Sequence, residues 1–340
     1  MISLLRSLLA AITGRPQAQP ADADEVLVLA RHHRLSPLLS LADLSGWAPS
    51  LAEALRRDRL VTIARNLLLA HVAEECAAAL TAAGVRVALL KGLSYNLTIY
   101  DQDGARPTSD VDLLVPEAAR RTAFQTLDRL GFEPRAAAPG FDDADYHEVA
   151  WTRNGVEVDL HLALAPLARC RVDYRDLWDS AREAALGRAR VATLHPRHAA
   201  VFHTLHMAMD HFDVPAMYLL DLSRLLPTAG EHEQAEALAR AWGCWRPFAT
   251  SAALTAAFLP AWDGARRASP VAGFSARVVG GYGSLARVPR REQLLRKLMH
   301  FDTRPDAVRY LTVQARRNVR EIYERRVRRR SARQRLALER

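Results

Sequence analysis

One nine-residue stretch restricts the fold more than any other: Asn154-Gly155-Val156-Glu157-Val158-Asp159-Leu160-His161-Leu162. Strict alternation of apolar and polar residues is the period of a strand with one buried face. The Asn-Gly pair in front of it is the two-residue turn whose left-handed backbone matches the twist of a β-hairpin. Tyr146–Arg153 and Val156–Leu162 are therefore expected to pair antiparallel, with Val156, Val158, Leu160 and Leu162 toward a core and Glu157, Asp159 and His161 on the opposite face. Taken alone, the strand would be equally satisfied with its polar face in solvent. Its presence still excludes an all-helical bundle, although most of the remaining chain has helical periodicity.

Leu51–Ala83 carries a long helical repeat that stops at Gly84, and Val85–Leu90 follows as a buried strand. Lys91–Tyr100 reads as a short helix, Asp101–Ser109 as a turn-rich loop, Asp110–Val115 as a strand halted by Pro116, and Glu117–Leu130 as a helix closed by Gly131. Ala136–Asp145 is irregular. Beyond Pro166 the strand signals fade, and helices are expected at about 173–185, 196–211, 214–227, 231–243, 246–259, 289–300 and 305–330. The expected class is α+β: a helical N-terminal region (1–84), a central unit with a small mixed sheet (85–165), a C-terminal helical domain (166–313) and a basic helical tail (314–340).

Composition narrows the function classes. The 340 residues are 49% hydrophobic and 25% charged, which is globular, and three cysteines without a Cys-x-x-Cys spacing exclude a zinc-finger or disulfide framework. The expected location is a reducing cytoplasm. No stretch reaches the roughly 20 uninterrupted apolar residues of a spanning helix; the best, Phe248–Trp262, is Ala-rich and is expected in the core. Of the net charge of +9, +8 lies in residues 314–340, where eleven Arg face three Glu. The body is thus nearly neutral, which disfavours a nucleic-acid-binding domain and fits a solvated or interacting tail. Lys91 and Lys297 are the only lysines among 47 basic residues, so each stands out where arginine serves elsewhere.

In Arg106-Pro-Thr-Ser109-Asp110-Val-Asp112-Leu-Leu-Val115, two carboxylates stand at i and i+2 at the opening of a strand. They share a face, with a rise of about 6.6 Å between them, and can converge on a divalent cation. Turn chemistry accounts for Asp110 but leaves Asp112, inside an apolar strand, unexplained. If the Asp159 strand lies beside this one, it adds a third carboxylate, and three such groups held together call for a cation. Leu89-Leu90-Lys91-Gly92 passes from strand to helix, where backbone amides, a point charge and a small residue suit a phosphate.

Lys91-Gly92, then Arg106-x-x-Ser109-Asp110-x-Asp112-Leu-Leu-Val, then Val-Asp159-Leu-His161, resembles the nucleotidyltransferase superfamily with a DNA-polymerase-β-type palm, and within it a largely uncharacterised bacterial branch with helical flanks. The resemblance covers 85–165 well and 195–227 loosely, the latter through His203-Thr-Leu-His206 and Tyr218-Leu-Leu-Asp221-Leu-Ser-Arg-Leu-Leu. It implies Mg²⁺-dependent (or Mn²⁺-dependent) transfer of a nucleoside monophosphate from an NTP, ATP first, to a hydroxyl-type acceptor on a small molecule or a peptide or protein. By position it implies that Asp110, Asp112 and Asp159 hold metal, that Asp159 helps deprotonate the acceptor, and that Lys91, Gly92, Arg106 and Ser109 contact the triphosphate. The chain departs from the superfamily's Gly-Ser pair, having Gly92-Leu93 with Ser94 one place on, and its spacing from Gly92 to Asp110 is longer.

On the acceptor side the candidates are His161, His206 and Asp221. His203, His206 and Asp210 share a helical face with His211 after them, a spacing compatible with a metal but equally with the wall of a cleft. Gly280-Gly-Tyr-Gly-Ser284 reads as a connector, and Trp242 and Trp245 as core. Two alternatives remain at the level of sequence: RNA-directed nucleotidyl transfer, and a non-catalytic nucleotide-binding or adaptor protein acting through the Arg-rich tail.

Overall fold

The computed structural model describes residues 2–15, 22–135, 147–166, 170–266 and 301–312, with single positions between 278 and 316. The N-terminal helices are α1 (Ile2–Ile12), α2 (Ala23–His32), α3 (Ser36–Leu39) and α4 (Pro49–Ala82). The central part runs β1 (Ala88–Leu89), α5 (Lys91–Thr98), β2 (Val111–Leu114), a 3₁₀ turn (Glu117–Ala119), α6 (Arg120–Arg129), β3 (Glu133–Pro134), β4 (Glu148–Arg153) and β5 (Val156–His161). Then come α7 (Tyr174–Asp179), β6 (Arg182–Leu186), β7 (Ala189–Thr193), α8 (Pro196–Met209), α9 (Met217–Leu225), α10 (Ala229–Trp242) and α11 (Trp245–Phe258).

Local signals explain most of these boundaries. Proline opens α4, where its missing N–H costs nothing. Thr228 and Glu231 form a reciprocal cap on α10, which closes at Gly243 with φ +72°. Asn154 and Gly155 take φ +49° and +75°, the backbone a tight hairpin requires.

Among the described residues the strands form one mixed sheet in the order β3-β4-β5-β2-β1-β7-β6. The β2/β5 and β1/β7 pairs are parallel and the others antiparallel. One face packs on α4 and α6 through Val111, Leu113, Val156, Val158 and Leu160. The other faces the N-terminal helices and α8, α9 and α11, whose apolar residues form a second and larger core. The Asp159–His161 end of the polar side of β5 is therefore turned into the molecule, while Glu157 pairs with Arg135 at the surface.

The β6–β7 hairpin corrects the helix expected over 173–185: only Tyr174–Asp179 is helical. Arg182-Glu-Ala-Ala-Leu and Ala189-Arg-Val-Ala-Thr are Ala-rich, and alanine favours helix when nothing else decides. Pairing of β7 along β1 overrides that preference. The sheet thus continues beyond residue 165. Ala136–Asp145, Tyr146, the connector glycines 280, 281 and 283, most of 289–300 and nearly all of the tail lie outside the described residues; residues 305–312 are helical as expected. Among the described residues no helix is long and apolar enough to cross a membrane. The three cysteines form no disulfide with one another.

Candidate active site

Parallel pairing of β2 with β5 sets Asp112 directly beside Asp159. Alternation turns both to the α8 side, and Asp110, two residues before Asp112, follows on the same face. The three carboxylates line one cleft of about 290 Å³ together with Lys91, Gly92, Arg106, Ser109 and His206. Of the residues singled out from sequence, His161 and Asp221 do not line it. Asp210, expected with His206 at the wall of a cleft, lines it too, while His203 and His211 do not; Arg34, Thr108, His147, Glu148, Met209 and Tyr218 line it without having been anticipated. Glu148 was within reach of sequence reasoning, because a two-residue turn at 154–155 fixes the register that places it opposite His161.

The cleft's charges are tightly coupled. Lys91 Nζ lies 2.7 Å from Asp112 Oδ1, and His161 Nε2 lies 2.9 Å from the same oxygen. Burial would push the Asp112 carboxyl up, yet Lys91 and His161 hold it well below the usual carboxylate range. An ionised carboxylate only accepts, so Nε2 of His161 carries the proton. Glu148 Oε2 stands 3.4 Å from the other ring nitrogen. Asp159 is in the opposite situation: burial and the neighbouring Asp112 push it up to about 7. Asp110 is raised for the same two reasons. His161 is thus a support beneath Asp112, its ring edge-on to Phe202 of α8, buried and outside the cleft lining.

The backbone at the head of α5 is unusual. Lys91 has φ +37°, a conformation in which a side chain is strained and which recurs at functional sites. At Gly92 a Cβ would come within 2.5 Å of Thr108 Cγ2, so glycine lets the segment before β2 close onto α5. Helix α4 holds that segment from outside. Arg59, Arg65 and Asn66 donate to the carbonyls of Asp103, Ser109 and Arg106, and Asn96 of α5 bonds both Arg106 O and Thr108 Oγ1.

Arg106, at the cleft as expected, is paired with Asp221. The Arg106 guanidinium is buried and bonds both oxygens of Asp221, Nε to Oδ1 at 3.0 Å and Nη2 to Oδ2 at 2.9 Å; Tyr100 donates to Asp221 at 2.8 Å. Asp221 is completely buried, holds Arg106 and does not line the cleft. Arg106 lines the cleft with its charge already matched. His203 bonds the Tyr218 carbonyl at 2.9 Å, and His206 stacks on Tyr218, 3.3 Å from its hydroxyl, at the cleft wall. Trp242 is core, as expected.

Among the described residues no group of three or more His, Cys, Asp or Glu closes into a ready-made metal cage. A magnesium ion held by one or two carboxylates and by substrate phosphates requires none. The donor chemistry fits such an ion: hard oxygens, two of them on carboxyls raised by burial and by the neighbouring Asp112, and an Asp112 that Lys91 and His161 both engage through Oδ1.

A family model described as uncharacterised nucleotidyltransferase matches residues 19–260. No curated protein sequence matches the chain. A solution structure of the antibiotic-resistance factor ANT(2'')-Ia is similar at 15% identity, over 54% of this chain and 90% of that one, with a TM-score of 0.34. The family match takes in α2 through α11, helical flanks as well as sheet, and so every element that lines the cleft. By that match the chain belongs to the uncharacterised nucleotidyltransferase family and is an α+β enzyme of the nucleotidyltransferase class.

Proposed function

We propose that the protein transfers a nucleoside monophosphate from an NTP, ATP first, to a hydroxyl-type acceptor on a small molecule or a peptide or protein, with Mg²⁺ or Mn²⁺. The observation that carries this reading is the pairing of Asp112 with Asp159, with Asp110 on the same cleft. In this reading the three carboxylates hold the metal, while Lys91, Gly92 and Ser109 border the triphosphate. When bound, the cation neutralises phosphate charge and acidifies a coordinated hydroxyl.

The chain's own residues supply the rest. A new bond forms between the acceptor oxygen and the α-phosphorus, the α–β anhydride bond breaks, and pyrophosphate leaves. The proton of the acceptor hydroxyl passes to Asp159, the one of the paired carboxylates that neither Lys91 nor His161 bonds. His161 and Lys91 fix Asp112. His206, on the wall contributed by α8, borders the acceptor. Arg106, already paired with Asp221, supports the segment that carries Ser109 and Asp110.

Calorimetric titration of ATP and the other NTPs, with and without Mg²⁺, tests the reading on the wild type and on an Asp110→Ala, Asp112→Ala double variant. Binding is expected to need both the metal and the carboxylates. Absence of NTP binding, or a double variant that binds like the wild type, would overturn it.

A further inference from the structure

Three cationic side chains line the cleft: Arg34, Lys91 and Arg106. Two are committed. Lys91 is ion-paired with Asp112, and Arg106 with Asp221. Arg34 is the third, and among the described residues no carboxylate lies within ion-pair distance of it. It shares the cleft with Asp110 and Asp210, where its charge offsets a part of the rise that burial imposes on both carboxyls.

Its placement is fixed by the fold. Arg34 sits in the turn between α2 and α3 with φ +58°, a left-handed conformation that pins the direction of its side chain. The residue before it is anchored on both sides of its peptide: buried His33 accepts the Ala216 amide on Nδ1 at 3.1 Å, and its carbonyl accepts the Met217 amide at 3.2 Å. Burial pushes His33 down to about 4, which keeps Nδ1 an acceptor at neutral pH. The Leu35 amide closes the turn on Ala30 O at 2.7 Å. A rigid turn from the N-terminal helices thus delivers an unmatched guanidinium to a cleft otherwise rich in carboxylates.

We propose that Arg34 binds the terminal phosphates of the nucleotide, as the cation the free cleft keeps in reserve for a polyphosphate. This rests on the nucleotide reading of the site. A guanidinium presents a planar fork of donors that matches phosphate oxygens two at a time, whereas a lysine gives a point charge. In this arrangement the N-terminal helices are part of the substrate site.

The test compares wild type, Arg34→Asn and Arg34→Lys in calorimetric titrations with Mg·ATP, Mg·AMP and Mg·tripolyphosphate. Asparagine tolerates the left-handed backbone, so the turn is retained. Thermal unfolding is recorded for each variant. Arg34→Asn is expected to weaken Mg·ATP and Mg·tripolyphosphate about ten- to a hundredfold while leaving Mg·AMP within about twofold. Arg34→Lys is expected to recover part of the loss, and it carries the test alone if the asparagine variant folds poorly. Equal affinity of both variants and wild type for Mg·ATP would overturn the proposal, and so would an equal loss for Mg·ATP and Mg·AMP. Failure of the wild type to bind any NTP is a different result, which removes the nucleotide reading itself.

Discussion

Asp112 and Asp159 are the same residue type, side by side in register, and the structure drives their protonation in opposite directions. The difference lies in which one the donors reach: Lys91 and His161 both bond Asp112, leaving Asp159 to face burial and a negative neighbour. The consequence for stability has a definite sign. An unfolded Asp ionises near pH 4, whereas Asp159 in the native protein keeps its proton up to about 7. Between those values the native state binds the extra proton, so this group's contribution to stability falls as pH rises through the window. Asp159→Asn is accordingly expected to raise Tm at pH 8 by about 2–4 °C, and to change it little at pH 4, in metal-free protein; differential scanning at the two pH values checks it. A gain of equal size at both would contradict the assignment. The Arg106–Asp221 pair makes a second case. Either single alanine variant strands a buried charge and is expected to cost about 3–5 kcal/mol, while an apolar replacement of both should cost far less. Denaturant titration of the two singles and the double separates a matched structural pair from two independent ligands.

At the scale of elements, the contact between α5 and the segment before β2 sets the geometry of the cleft floor. A Cβ on Gly92 would collide with Thr108 Cγ2, so Gly92→Ala is expected to cost about 1–3 kcal/mol as overpacking. Adding Thr108→Ser removes that methyl and should restore much of the loss in a thermal melt. An additive double variant would mean the glycine serves a ligand only. The same scale shows how far local sequence reaches. The helix α4 and the β4–β5 hairpin were legible because each is encoded by periodicity or turn chemistry within its own residues. The β6–β7 hairpin was not, since its Ala-rich strands carry a helical preference that only the distant β1 overrules.

For the whole molecule, charge divides the chain into a nearly neutral body and a tail holding +8 of +9. The family match ends at residue 260, before that tail. Removing residues 314–340 is therefore expected to leave Mg·ATP affinity within about twofold, and to abolish any steeply salt-dependent association with RNA; titrations of both ligands at two salt concentrations check this. What the sequence determined by itself was the alternation of β5, the turn before it, the paired carboxylates at 110 and 112 and the lysine–glycine pair at a helix start. These are properties of neighbouring residues, fixed by the periods of strand and helix and by the few conformations a tight turn allows. Tertiary structure decided that β5 lies parallel to β2 and so delivers Asp159 to Asp112, that Arg106 is matched by Asp221 115 residues away, and that the turn after α2 brings Arg34 to the cleft. None of these follows from periodicity, because which distant elements meet depends on how their apolar faces pack together, and packing is settled by the whole chain at once.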